Sequence, residues 1–358
     1  MPSSPARLLI AALFAGVLAP AAVWGQSGDL SLGASYSSLY GPTANIAFSA
    51  EGLGRKKDIA ASVRFRGGPE GEEGRVSFLR SPEVETGKLR YAFTANAQNW
   101  DHIPYESRGV RVSVEREKPV GPRTSFGAGA FAGYDDVTAV VSGMSGILAR
   151  DFGESSSIGV NVFSRFESGD FEPGQPDAAR LRLDSNLQIA GLGDRKYVAL
   201  ELGARYEMPL SSGFVLKTRL KAGAIRGLDD DYVSVLDRAF QGDLEPRGFE
   251  YGGLGPRDPA TQDALGGANF YAGSVEIQRP VAETPVVIGA FVDFGSTWSV
   301  PGVSDPMLYD QHEIRASAGV SVEFSSDFGS LRVSYAEPFE RQDHDRVQRL
   351  SVALVASF

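Results

Sequence analysis

Apolar and polar residues alternate with a period of two along nearly the whole chain after its first segment. The clearest example is residues 180–189, where Leu181, Leu183, Leu187 and Ile189 are separated by charged or amide side chains. A period of two places successive side chains on opposite faces of a strand. The pattern therefore predicts an all-β protein whose strands each have one apolar face and one polar face.

The polar faces favour a transmembrane barrel over a soluble sheet. Residues 43–50, 59–66 and 89–98 repeat the alternation, and charges of both signs recur on the polar faces. A wet barrel lumen has such a lining, and aromatic side chains near strand ends are typical of membrane interfaces. Aromatic residues of this kind are Tyr36, Trp100, Tyr134, Tyr206 and Tyr335. A soluble β-sandwich or solenoid also alternates, and it is the alternative interpretation.

The first 25 residues predict export from the cytoplasm. Arg7 precedes an apolar run over residues 8–18, and residues 23–25 suit a cleavage site. This order of features is typical of a cleaved signal peptide. An uncleaved anchor is the alternative, but the run is shorter than the about 20 residues that a spanning helix needs. Residues 26–358 are then expected to form one barrel domain.

The amino-acid composition excludes several classes of protein. The 358-residue chain contains no cysteine, which excludes a disulfide scaffold and a lipoprotein anchor. Its net charge of −10 argues against nucleic acid as a partner. Beyond the first segment no stretch approaches the about 18 apolar residues of a transmembrane helix. Because only helices and closed barrels satisfy every backbone group in lipid, a barrel in the bacterial outer membrane is predicted.

The alternation predicts sixteen strands, an even number as in bacterial barrels. Residues 136–154 alternate poorly and are interpreted as a loop, with a further strand pair as the alternative. The predicted strands cover residues 29–38, 42–52, 57–67, 73–81, 88–99, 106–118, 122–135, 156–168, 178–190, 195–208, 213–226, 268–280, 286–296, 312–325, 329–337 and 348–358.

The end of the chain has the pattern of a closing strand. Apolar residues alternate at Leu350, Val352, Leu354 and Ala356, and the chain ends on Phe358. A closing strand needs such a lipid-facing row, with the aromatic residue at the interface. The pattern is similar to the C-terminal signal by which outer-membrane barrels are recognised for assembly. An ordinary edge strand is the alternative.

Residues 227–268 form a predicted loop far longer than an ordinary connection. Loops of this length are usually functional or disordered, and a floppy surface loop is the alternative. The loop contains Arg247-Gly248-Phe249 and then the glycine-rich residues 253–258. Glycine at this density suits tight turns and close approach of the backbone.

A family resemblance rests on this loop and on the strands C-terminal to it. The residues that carry it are Arg247-Gly248-Phe249, GLGPRD at 253–258, ALGG at 264–267, GSVEI at 273–277, FVDFGSTW at 291–298, and residues 328–339. From residue 227 to the end, the chain resembles the barrel domain of the BamA/TamA-type outer-membrane assembly superfamily. Residues 33–36 and 52–54 add weaker similarity near the front.

The resemblance implies a sixteen-stranded barrel whose sixth outer loop folds back into the lumen. It assigns Arg247 to an arginine that meets carboxylates of the lumen wall, and Glu276 and Asp293 to those carboxylates. The alternation agrees, because each acid lies between two apolar residues and points inward if they face lipid. An arginine fork suits paired carboxylates. The alternative is that both acids simply line a wet pore.

The chain also departs from the family pattern. Pro246 replaces the β-branched aliphatic residue that usually precedes the arginine, and Val355 stands where many members have a glycine in the last strand. No periplasmic POTRA repeats are expected, because the first predicted strand lies close to the cleavage site. We therefore do not expect this chain to have the complete function of the family.

Enzymatic chemistry is not expected. The three histidines, His102, His312 and His344, lack the spacing of a metal site, and no serine lies in a Gly-x-Ser-x-Gly elbow. Residues 143–146 are too loose a match for such an elbow. No cofactor or metal is expected, and an outer-membrane phospholipase or protease with a lone histidine is a distant alternative.

The expected function is assistance in the insertion or assembly of outer-membrane proteins, or lipid remodelling. The expected partners are outer-membrane lipid, nascent outer-membrane proteins and a separate periplasmic POTRA-bearing or accessory protein. A passive pore or structural barrel is the alternative.

Overall fold

The structure is a computed structural model that describes most of the chain. The described residues are 28–37, 41–53, 58–69, 71–80, 87–99, 103–139, 143–169, 176–243, 245–303, 305, 307–326 and 329–357. The predicted signal peptide, Trp100, His102 and Phe358 lie outside them. Neither of the two short 3₁₀ helices of these residues, Leu148–Asp151 and Ser211–Gly213, is long or apolar enough to cross a membrane.

Sixteen antiparallel strands form one closed barrel in which neighbours in sequence are neighbours in the sheet. The barrel strands are β1 Gly28–Ser37, β2 Gly41–Leu53, β3 Ile59–Gly68, β4 Gly71–Arg80, β5 Lys88–Asn99, β6 Tyr105–Pro119, β7 Thr124–Ala139, β8 Gly153–Glu167, β9 Arg180–Gly193, β10 Tyr197–Pro209, β11 Val215–Gly227, β13 Asn269–Pro280, β14 Val286–Trp298, β15 Arg315–Ser326, β16 Gly329–Glu340 and β18 Leu350–Ser357. Two further segments of two residues each, β12 Gly248–Phe249 and β17 Val347–Gln348, pair with each other as a separate ribbon. The predicted strand number and antiparallel order are confirmed.

The predicted and the observed strand boundaries differ most at the end of β7. The sequence places the end of this strand near Asp135, whereas the structure continues it to Ala139. The acidic residues do not interrupt the strand, because Asp135 and Asp136 pair in register with Gly109 and Arg108 of β6. The next connection contains the first 3₁₀ helix and no further barrel strand among its described residues. Its interpretation as a loop is confirmed, although the loop is shorter than predicted.

The two faces of the strands are those that the alternation predicts. On β9, Leu183 and Ile189 are exposed on the outer surface, whereas Arg182 and Asn186 line the lumen cavity. Leu187 belongs to the same outward row. The apolar residues therefore face lipid, and the charged residues face an aqueous interior.

Loops cover one end of the barrel. A buried apolar cluster at this end joins loop residues to two strands: it contains Ile103, Leu148, Val235, Leu265, Val300 and Leu308 of the loops, with Tyr105 of β6 and Val137 of β7. Leu148 and Leu265 have no exposed surface. The long loop between β11 and β13 contributes to this cluster and also descends into the lumen, so it is an ordered part of the fold and not a floppy surface loop.

The barrel closes between β1 and β18, a boundary that we call the seam. Among the described residues the seam ladder runs from Gly33 opposite Ser357 to Ser37 opposite Ala353, which is five residue pairs. The ladder on the other side of β18, with β16, has seven pairs. The ladder between β1 and β2 has ten. Within the described part of the chain, the seam is therefore the shortest of the three ladders at this junction.

Candidate functional site

The tip of the long loop places Arg247 inside the barrel against the wall. Its Nε and Nη2 donate to the two carboxylate oxygens of Asp293 at 2.7 and 2.8 Å, and its Nη1 donates to Glu276 at 3.0 Å. The Arg247 backbone N–H also donates to Asp293, at 3.0 Å. This two-pronged geometry is the strongest form of an arginine–carboxylate pair. We call Arg247, Glu276 and Asp293 the loop lock.

The lock is shielded from water. Arg247, Glu276 and Asp293 are 3%, 3% and 1% exposed. The guanidinium carbon of Arg247 lies 3.2 Å from the centre of the Phe291 ring, whose face attracts a cation. Ion pairs in such a setting are costly to break, because either partner alone would remain as a buried charge.

Glu276 is held from the opposite side as well. Its second carboxylate oxygen accepts hydrogen bonds from Gln278 at 2.7 Å, Ser321 at 2.7 Å and Arg332 at 2.6 Å. The acid thus joins the loop arginine to a second arginine on β16. Four of the barrel strands, β13 to β16, are therefore tied to one loop tip through hydrogen bonds to Arg247 or Glu276.

Gly248 and Phe249 continue the loop tip toward the seam strand. Gly248 has a φ of +96°, and a Cβ there would lie 3.2 Å from side-chain atoms of both Ser317 and Pro338. A larger residue would be both strained and crowded at this position. Phe249 is fully buried and pairs with Val347, just before β18.

Further hydrogen bonds connect the loop directly to β18. Ser351 of β18 donates to the Asp243 carbonyl at 3.1 Å, and Gln348 donates to the Asp243 side chain at 3.3 Å. The loop therefore bridges the wall at β13–β14 and the beginning of the strand that forms the seam.

A second set of charges fixes the loop at the covered end of the barrel. Arg195, between β9 and β10, donates to Asp237 of the loop at 2.8 Å and also pairs with Asp135 of β7. Burial raises the pKa of the Asp237 carboxyl group to about 6 despite the arginine beside it. The desolvation of the carboxylate is thus larger than the gain from the pair.

Arg257 organises the loop through backbone carbonyl groups. It is 1% exposed and donates to the carbonyl oxygens of Gln262 at 2.6 Å and Gly252 at 2.8 Å. Burial, together with the nearby positive charge of Arg346, lowers the pKa of its guanidinium group to about 10. This residue belongs to the glycine-rich motif at 253–258, and its contacts explain why the motif is compact.

The structure brings together the residues that the resemblance assigns to the lock, and their role in fastening the loop stays a prediction. Sequence reasoning misses the partners that complete the cluster, namely Ser274, Phe291, Ser317, Ser321 and Arg332. The alternation marks the three serines and Arg332 as inward-facing, but not Phe291, which lies in a continuous apolar stretch. It does not reveal which inward residues meet across strands, because that depends on the register.

The described residues of the C-terminal pattern lie on β18. Leu350 and Leu354 are exposed on the outer surface, and Ala356 pairs in register with Ala34 of β1. Val352 pairs with Val333 of β16. Val355, at the position where many family members have glycine, continues the ladder opposite Ser35. The use of this pattern as an assembly signal stays a prediction.

The described histidines contact neighbouring aromatic side chains, and the serine of the loose motif is buried. His344 stacks on Tyr309 with ring centroids 4.3 Å apart, and His312 lies 3.3 Å from the Tyr271 hydroxyl. Ser145 is buried, and its backbone N–H donates to Asp263. The described residues contain no group of three or more side chains placed to hold a metal ion.

Comparison with known families is decisive for the fold and family. The model of the Omp85 superfamily domain matches residues 26–358. The chain belongs to the Omp85 superfamily. As an Omp85 barrel it is an outer-membrane protein, and the predicted resemblance to BamA/TamA-type proteins is confirmed.

Relatives of this Omp85 chain include outer membrane protein assembly factors. It is 32% identical over 176 residues to BamA of Neorickettsia risticii, which covers 48% of this chain and 23% of that protein. It is 27% identical over 206 residues to BamA of Neisseria meningitidis, covering 48% of this chain and 25% of that protein. BamA of Nitratidesulfovibrio vulgaris matches at 22% identity over 88% of this chain and 39% of its own length. The chain thus spans well under half of these relatives.

Two solved structures share the fold. BamA from Haemophilus ducreyi lacking POTRA domains 1–3 superposes with a TM-score of 0.78 at 17% identity, over 93% of this chain and 70% of that one. CdiB from Acinetobacter baumannii superposes with a TM-score of 0.60 at 12% identity, over 93% and 60% of the two chains. At such low identities the likeness concerns the fold.

Proposed function

We propose that this Omp85 barrel assists the insertion and assembly of other outer-membrane proteins at its seam, with outer-membrane lipid and nascent barrels as partners. The observation that carries the proposal is the short ladder between β1 and β18, which has five described residue pairs against seven between β18 and β16. A shorter ladder has fewer hydrogen bonds to break when two strands separate.

An opened seam offers two strand edges to a client. Unpaired N–H and C=O groups at a strand edge are a template for pairing with another chain. The barrel acts in this proposal by strand pairing and by local disturbance of the lipid, not as an enzyme. Accessory proteins, including a separate POTRA-bearing protein, would deliver the client.

The loop lock would keep the rest of the wall rigid while the seam separates. It would fasten the loop to β13 and β14, and Asp243 contacts Gln348 of β17 and Ser351 of β18. Strand β18 is therefore anchored near its first residues, and among the described residues its ladder with β1 is shorter than its ladder with β16. The names of the relatives, assembly factors for outer membrane proteins, support the same role.

A disulfide across the seam tests the proposal. Tyr36 and Leu354 are in register on the outer face, and the natural chain has no cysteine to interfere. Oxidised Tyr36→Cys/Leu354→Cys should insert an unrelated small barrel into liposomes no faster than liposomes without the protein. Reduction of the disulfide should restore the rate.

The matched control joins the same β18 position to its other neighbour. Leu331 is opposite Leu354 on β16, so oxidised Leu331→Cys/Leu354→Cys leaves the seam free. This control should insert the client at the unmodified rate, compared at equal cross-linked fraction on a gel. Full activity of the seam-locked protein would show that insertion does not use the seam.

A further inference from the structure

A row of three arginines crosses the lumen wall below the loop tip. Arg182 of β9 is directly opposite Arg205 of β10, and Arg205 is directly opposite Arg219 of β11. All three line the same lumen cavity, which has a volume of about 660 Å³. Like charges at directly opposed positions of an antiparallel sheet repel each other, so this row is unfavourable without a compensating negative charge.

The two outer arginines of the row each lie beside a carboxylate that compensates their charge, and the middle arginine does not. Arg182 pairs with Glu167, and Arg219 lies 3.4 Å from Glu245 of the loop. Arg205 is exposed to the lumen and has no hydrogen bond or ion pair to another residue of the described chain. The row therefore presents an open guanidinium group flanked by two further cations.

The cavity has an excess of positive charge although the whole protein is acidic, and the row supplies that excess. Nine lysine and arginine side chains, the three arginines of the row among them, and six carboxylates line the cavity, whereas the net charge of the chain is −10. Lys221, two residues beyond Arg219 on β11, faces the same space. The lumen thus concentrates positive charge at one position in a protein that otherwise repels anions.

We propose that Arg182, Arg205, Arg219 and Lys221 form a binding site for a phosphate-bearing anion inside the barrel. Planar guanidinium groups match the paired oxygens of a phosphate, and several of them can share one multivalent anion. This inference goes beyond the assembly role and does not rest on it. The bound anion would screen the arginine row and compete with Glu245 for Arg219.

The site lies next to the loop lock. Glu245 is two residues before Arg247, and both Glu245 and Asp293 line the cavity that holds the arginine row. An anion that displaces Glu245 would therefore change the contacts of the loop tip directly beside the lock.

Binding of inorganic pyrophosphate to the purified full chain in micelles tests the site. We expect calorimetric binding above that of a chloride solution of matched ionic strength, and an increase in the urea midpoint of unfolding. Arg205→Gln should weaken the affinity by about ten-fold, as expected for one lost charge-assisted hydrogen bond. The same variant should be more stable than the natural protein without pyrophosphate, because it removes the repulsion.

Arg64→Gln is the matched control. Arg64 is opposite Arg75 across β3 and β4, so this variant also removes a charge from an opposed arginine pair, but Arg64 does not line the cavity. Its affinity for pyrophosphate should stay within about two-fold of the natural value. Absence of binding to the natural protein, or equal weakening by Arg64→Gln and Arg205→Gln, would overturn the proposal.

Competition identifies the source of the phosphate group. Short-chain phosphatidic acid added to the micelles should displace pyrophosphate if the site takes a lipid headgroup, with short-chain phosphatidylcholine as the control. No displacement by phosphatidic acid, with pyrophosphate still bound in an Arg205-dependent way, assigns the site to a free phosphate compound.

Discussion

At the scale of single residues, the contacts of Arg247 predict that one side chain fastens the long loop. Its guanidinium group contacts a carboxylate on each of two strands, and its carbonyl accepts a hydrogen bond from Ser317 on a third, at 2.6 Å. The partners are buried, so water cannot replace a lost contact. The contribution of this cluster to the free energy of unfolding is therefore a joint property of Arg247, Glu276 and Asp293.

Arg247→Ala should lower the free energy of unfolding by about 3–5 kcal/mol, the cost of leaving a buried charge without its partner. Asp293→Ala should cost a similar amount, and the double variant little more than either single variant, because the residues form one unit. Urea unfolding in micelles measures these values, and protease cleavage within residues 227–268 reports the release of the loop. Strictly additive losses would contradict the lock.

Asp237 gives the loop a dependence on pH. Because burial raises the pKa of Asp237 to about 6, the folded protein binds this proton more tightly than the unfolded chain does. The stability that protonation confers is therefore present in acid and lost as the pH rises through about 6. Between pH 7 and pH 5 the natural protein should gain about 1 kcal/mol relative to Asp237→Asn. Parallel pH profiles of the urea midpoint would show that Asp237 does not titrate in this range.

At the scale of elements, adjacent residues of each barrel strand point to opposite faces, one toward the outer surface and the next toward the lumen. In the middle of β9, Leu187 is exposed on the outer surface, and its neighbour Gln188 lines the lumen cavity. Leu187→Arg should cost about 2–4 kcal/mol, because a cation near the middle of the bilayer is desolvated. Gln188→Arg should cost far less, since the lumen is wet. Heat-modifiable gel mobility and urea midpoints compare the two, and equal effects would contradict the assignment of faces.

The same strands show what a sequence can and cannot predict. Strand number and facing can be read from alternation, because the period of two is a local property of each strand. The sequence places the end of β7 too early, because Asp135 and Asp136 resemble turn residues until Arg195 and Arg108 are brought against them by the sheet. Sequence reasoning misses the arginine row on β9–β11 for the same reason, as it exists only in the register of three strands.

At the scale of the whole molecule, we expect the long loop to decide whether the barrel conducts ions. Barrels of sixteen strands are wide enough to hold an aqueous channel. Here the loop reaches the lumen wall, and its apolar residues join the cluster that covers one end. Replacing residues 229–266 by a short linker should therefore raise the conductance in planar bilayers several-fold over the natural protein. Equal conductance of the two would mean that the loop does not obstruct the lumen.

The loop lock also sets an order of events in time. Arg247 meets residues 29, 46 and 70 positions further along the chain, and the ribbon of Gly248 and Phe249 needs residues just before β18. Contacts of such separation form late, because the intervening chain must first be brought together. The lock cannot close until β13 and β14 are in place, and the ribbon beside it cannot form until the chain has reached residue 348. A closed lock together with the ribbon thus marks the time at which the last third of the barrel has folded, and a folding intermediate with an incomplete wall would be recognisable by its protease-sensitive loop.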